Sequence, residues 1–184
     1  MTKSKPNSSR EQAEMSLDLG LGKRIEGNFD GGEVCSDGGL LLLRKADDRA
    51  ELSELASLCI AERRRPDLMR HTIPDLFRQR IYAIAAGYED CNDATRLRHD
   101  AMHRLAVGKL LSERPLASQP SLSRFEAMAD RTTNQALQKL LVHQYVRRQK
   151  KAPKVVRLQM DTTCDEVYGY QQMTFYNGYY KAYC

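Results

Sequence analysis

Val155-Val156-Arg157-Leu158-Gln159-Met160-Asp161-Thr162-Thr163-Cys164-Asp165 is the stretch whose reading decides the fold. A polar basic linker, Lys150-Lys151-Ala152-Pro153-Lys154, precedes it, and the apolar run that follows ends in an acid. Such a run predicts a buried strand closed by Asp161. A carboxylate there would be held by a rigid sheet yet face its solvent edge, where it could coordinate a hard divalent cation such as Mg²⁺. Taken alone, however, the residue reads first as an Asx turn after a strand, because one carboxylate binds Mg²⁺ poorly.

Downstream, Tyr and Phe crowd between Tyr168 and Tyr183, and Met173 to Tyr180 is expected to pair antiparallel with the Val155 strand. Upstream the pattern is helical. Leu40 to Leu43, Ala46, Leu52, Leu55 and Ala56 keep helix-like spacing after two glycines. Thr72 suits a helix cap and Pro74 its first turn, and Ile73, Phe77, Ile81, Ile84 and Tyr88 form a stripe that predicts the buried face. Asn92 or Asp93 caps a short helix through Leu97, and Asp100 another through Ala106. Ser121 to Glu126 reads as a brief helix. Thr132 and Gln135 have capping-box spacing for a longer one reaching about Gln149, with Leu137, Leu141 and Tyr145 inward.

The expected organisation is therefore α+β. Residues 1–23 form a disordered tail without apolar periodicity, residues 24–150 a mainly helical region, and residues 151–184 the first strands of a second unit. A short strand or hairpin is expected around Arg24 to Phe29, before the Asp30-Gly31-Gly32 turn.

Length and composition bound the function. The 184 residues, 41% hydrophobic, suffice for one ordinary core and a small second unit. No apolar run approaches the roughly 20 residues that cross a bilayer, so no membrane partner and a cytoplasmic location are expected. Five cysteines (Cys35, Cys59, Cys91, Cys164, Cys184) stand far apart, which predicts free, mostly buried thiols. A net charge of +5 favours a polyanionic partner without proving one. Asp30-Gly31-Gly32 and Asp37-Gly38-Gly39 lack the phosphate-loop pattern, and His99 and His103, four apart, lack the glutamate of a metalloprotease helix.

The segment from Leu158 to Asp165, with Gly169, Gln171 and Phe175-Tyr176-Asn177-Gly178-Tyr179-Tyr180, resembles the opening strand and turn of the RNase H-like catalytic domain of DDE transposases. Specifically, it is similar to insertion-sequence family 1380. Ser36 to Arg44, Arg78 to Tyr82, Gly87 to Asp90 and Leu116 to Glu126 look like that family's N-terminal blocks, in the same order. The chain departs from the family pattern at Gln159 and Cys164, where acids are usual, and at Tyr168, where His is frequent.

The resemblance implies two-metal phosphoryl transfer on DNA, with Asp161 as first acid of the triad and Mg²⁺ ligand. Asp165 is a weaker metal candidate that more readily shapes the loop. The family's other two acids lie beyond Cys184, so the expectation is a truncated catalytic region, inactive alone. Partners implied are double-stranded DNA at element ends, a second copy or a full-length transposase, with nucleoid association. The alternative function is a DNA-binding or transposase-binding regulator without catalysis.

Candidate DNA contacts follow from charge. Arg147, Arg148, Lys150, Lys151 and Lys154 cluster at the domain junction, where phosphate contacts would position DNA without specifying sequence. A solvated helix end explains them as well. Arg63 to Arg65 is a second basic run. Arg124 lies in the Ser118 to Glu126 segment, whose Ser, Gln and Arg side chains could reach base edges or simply cap and pack.

Overall fold

A computed structural model describes residues 15–23, 25–27, 37–160, 164, 166–167 and 174–184. The chain divides into two compact units, Met1–Arg148 and Gln149–Cys184. Among the described residues there are seven α-helices and two short antiparallel hairpins, an α+β composition dominated by helix.

In the first unit, β1 (Met15–Leu17) pairs antiparallel with β2 (Ile25–Gly27), Ser16 opposite Glu26. At residues 15–23 the structure differs from the disordered tail expected over residues 1–23. Leu19 is buried against Leu41 and Leu105, and that contact orders a segment whose own sequence has no periodicity.

Helix α1 (Gly39–Ala50) runs into α2 (Leu52–Ser57) through Glu51, a non-glycine residue in the left-handed region at φ 54°. A single 3-10 turn (Pro66–Leu68) leads to α3 (Ile73–Ala85), which starts with the expected cap. Thr72 Oγ1 accepts from the Asp75 N–H while Asp75 accepts from the Thr72 N–H, and Pro74 fills the first turn. Helices α4 (Ala94–Leu97), α5 (Ala101–Val107), α6 (Gln119–Glu126) and α7 (Arg131–Arg147) follow. Asp100 caps α5 as expected, accepting from the His103 N–H. Gly108 ends that helix at φ 103°, and a Cβ there would sit 3.0 Å from the Arg44 guanidinium.

Helix α3 is the hub. It packs on α2, α5 and α6, while α1 packs on α5 and α7 on α2. Its buried face is Ile73, Leu76, Gln79, Tyr82 and Ala83, rotated from the stripe expected by hydropathy, and Ile84 is 48% exposed. Polar Gln79 and Tyr82 take inner positions because distant segments answer them. The Gln79 amide donates to and accepts from the Ala117 backbone, 2.9 Å each way. The Tyr82 hydroxyl donates to Asp47 at 2.5 Å. Burial first, then Asp47, pushes the Tyr82 phenol well above its ordinary value.

Two expectations for α7 are corrected. Asp130, accepting from the Thr133 N–H, caps the helix in place of Thr132. Leu141 and Tyr145 are exposed instead of inward, because α7 meets the rest of the unit at α2, with Thr133 and Gln144 buried.

In the second unit, β3 (Tyr176–Asn177) pairs antiparallel with β4 (Ala182–Tyr183). The anticipated strand from Val155 and its pairing with Met173 to Tyr180 are not seen. Residues 155–160 carry no regular structure and are exposed, Leu158 at 87% and Met160 at 94%. A strand needs a ladder partner for its backbone groups, and the described strands of this unit are taken up with each other. Of the described thiols only Cys91 is buried; Cys59, Cys164 and Cys184 are half-buried, and the sulfurs of Cys164 and Cys184 lie 2.9 Å apart.

Candidate nucleic-acid interface

The first unit contains a cleft of about 670 Å³ between the 62–71 segment, the start of α3, the end of α4 and helix α6. Arginines supply its charge: Arg64, Arg65, Arg70, Arg98 and Arg124. Ser118 and Ser121, from the first turn of α6, line it as well, with apolar walls from Leu68, Leu76, Phe125 and Met128. Among the described residues no acidic side chain lines it.

The five cations are not equivalent. Arg64 is tied to Glu62 at 2.5 Å and donates to the His71 carbonyl at 3.1 Å. Its guanidinium holds the Glu62 carboxyl below the usual range. Arg65 pairs with Asp67 at 2.7 Å. In contrast, the guanidinium groups of Arg70, Arg98 and Arg124 make no ion pair or hydrogen bond among the described residues, and Arg98 Nε is buried without a partner. An unsatisfied buried donor costs about 1–3 kcal/mol, more when charged, unless a ligand completes it. His71 also lines the cleft, and burial, assisted by Lys109, Arg114 and Arg98 against the opposing Asp75, lowers its pKa.

Elsewhere in this unit most buried charge is answered from within, although Arg104 Nε, like Arg98 Nε, is buried without a partner. Asp47 accepts from the Ser53 N–H at 2.8 Å and from Tyr82, and Ser53 Oγ accepts from Arg78 Nε at 2.9 Å. Arg44 donates to the Ala106 carbonyl at 2.8 Å and pairs with Asp48 at 2.7 Å. Arg80 bonds Glu126 and the Tyr88 carbonyl. His103 lies 3.1 Å from Asp37, edge-on to Tyr88, so its place is in the core, while His99 is exposed.

The structure thus brings Arg124 together with Arg64 and Arg65 from the basic run noted in the sequence. Arg63 instead turns to Asp130 at 2.7 Å. Arg147 is ion-paired with Glu51 at 2.6 Å, and Arg148 lies beside a shallow apolar groove containing Leu43, Ala46 and Ile81; neither lines the cleft. Lys150, Lys151 and Lys154 are exposed in the second unit. Sequence reasoning missed Arg70, His71 and Arg98 because they are scattered; only the fold gathers them. Asp161 and Asp165 lie outside the described residues. Among the described residues no group of three or more His, Cys, Asp or Glu could hold a metal ion, and no helix is long and apolar enough to cross a membrane.

The described lining of this cleft, five arginines and no acid, is of the kind that suits an anionic group. The family comparison is more specific: residues 17–184 match the model of Transposase DDE domain group 1, and the chain belongs to that family. It matches no curated protein and no solved structure. The family implies a DNA substrate and a function in transposition.

Proposed function

We propose that this chain acts in metal-dependent cleavage and transfer of DNA strands at insertion-sequence ends, as a transposase of the insertion-sequence family 1380 type. The observation that carries this reading is the family match, which runs unbroken across both units from residue 17 to residue 184. In this reading the segment from 151 onward belongs to an RNase H-like catalytic region, with Asp161 its first acid. Asp161, and less directly Asp165, are hard oxygen donors of the kind Mg²⁺ takes. A bound ion would polarise a phosphate oxygen and activate the attacking hydroxyl. The helical unit holds DNA by its phosphates, through Arg124 and its neighbours in the cleft. Arg147, Arg148, Lys150, Lys151 and Lys154 add sequence-independent attraction.

A second reading is favoured by one feature: the cleft lies wholly within Met1–Arg148. A chain using only that unit would bind element ends, or another transposase copy, as a regulator without cutting. The two separate in one experiment, incubation with labelled terminal-repeat DNA and Mg²⁺, scoring nicks and gel shift together. In a protein that joins this chain to the family's other two acids, cleavage lost in Asp161→Asn with binding retained is the result expected for the nuclease. A shift without nicks even when those acids are supplied supports the regulator, and neither shift nor nicks would sink both.

A further inference from the structure

We infer that the arginine cleft accepts an unstacked, single-stranded nucleotide at a DNA end, in preference to uninterrupted duplex; this rests on the DNA reading of the cleft given above. Three independent observations converge. The first is size. A volume of about 670 Å³ falls within the roughly 300–1,000 Å³ of pockets that enclose small ligands. A duplex, whose major groove alone is about 12 Å wide, can touch the rim but not enter.

The second is the division of the lining. Phosphate contact alone needs cations and hydroxyls, yet this cleft also has apolar walls, and Leu68 stands 69% exposed at its edge. Exposed leucine beside arginine gives an unpaired base a surface to lie on, since guanidinium planes and apolar side chains both accept a base face. Ser118 and Ser121 sit 3.2 Å apart, hydroxyl to hydroxyl, and can offer donors and acceptors to a base edge or phosphate.

The third is the gradient of exposure among the arginines without partners. Arg124 and Arg70 are exposed, whereas Arg98 lines the same cleft half-buried. Duplex phosphates passing along the rim reach the outer two. Only a group entering the cleft reaches Arg98.

The test compares, by fluorescence anisotropy, a blunt duplex with the same duplex carrying a short single-stranded end, with 2-aminopurine in that end reporting unstacking. Wild-type chain is expected to bind the overhang about tenfold more tightly, the effect of stacking about one base, with a rise in 2-aminopurine emission. Arg98→Gln lowers affinity for the overhang severalfold more than it lowers blunt-duplex affinity, so the preference is lost, and Arg98→Lys, which keeps charge but not the planar fork, restores it only in part. Arg124→Gln weakens both ligands. Circular dichroism melts verify that each variant is folded. Equal affinity for both DNAs, or an overhang preference untouched by Arg98→Gln, overturns the inference while leaving the cleft as a duplex contact. If neither Arg98→Gln nor Arg124→Gln alters any DNA affinity, the DNA reading of the cleft itself is lost.

Discussion

Helix α3 serves two polar regions that differ in where their partners come from. Along its middle, Arg78 and Tyr82 join Asp47 and Ser53 in a network whose donors and acceptors meet inside the chain. At its start it borders a cleft where Arg70, Arg98 and Arg124 find no partner among the described residues. The first region's buried groups regain on folding the hydrogen bonds they lose to desolvation, whereas Arg70 and Arg124 stay exposed and Arg98 is half-buried. The lesson is that most charge serving the fold finds its partners inside the chain, whereas the arginines of the concave site stay available to a ligand.

The sharpest way to break this comparison is Asp47→Ala. It strands the Ser53 N–H and the Tyr82 hydroxyl, both buried, and should cost about 2–4 kcal/mol of stability in urea melts, with DNA affinity per folded molecule unchanged. Arg124→Gln should do the reverse. Its melting temperature stays put, while the slope of log affinity against log salt for duplex DNA falls by about 1. A matching loss of stability would make Arg124 part of the frame. Thr72→Ala removes the cap that fixes α3 beside the cleft and should lower stability by about 1 kcal/mol, measured by the same melts.

Two smaller effects depend on pH. The lowered pKa of His71 means the ring resists protonation in the folded chain, so its contribution to stability is intact above about pH 6.5 and is lost as the pH falls below that value. A bound phosphate opposes Lys109, Arg114 and Arg98 and favours the protonated ring, so DNA affinity should rise between pH 7.5 and 5.5 about twofold to threefold more in wild type than in His71→Gln. Identical profiles would remove His71 from the interface. Asp130 is held at about pH 2, first by the Thr133 backbone and then by Arg63. Its stabilising effect is therefore present above about pH 4 and fades as the pH falls towards 2. Asp130→Ala should lower the melting temperature slightly at pH 7 and not at pH 2.

Local signals in the sequence were legible where the partner sits a few residues away. Thr72 with Pro74 marked the start of α3, and Asp100 that of α5, because a cap bonds within its own first turn. The same logic placed α7 two residues late, since Asp130 competed for the cap and won with Arg63 beside it. Burial was less legible. Hydropathy pointed Ile84, Leu141 and Tyr145 inward and gave no reason to bury Gln79, whose partner, Ala117, lies 38 residues away. Arg124 was found among the cleft residues because it stood in a recognisable segment, but Arg98 had no such mark.

By itself the sequence determined the family, through the match over residues 17–184, and a succession of short helices, three of them opened by side-chain caps, because caps and periodicity act over one or two turns. Tertiary structure alone decided which faces those helices bury and which arginines meet in one cleft. Both depend on pairings between segments tens of residues apart, and no local pattern encodes where a guanidinium will be left without an acid.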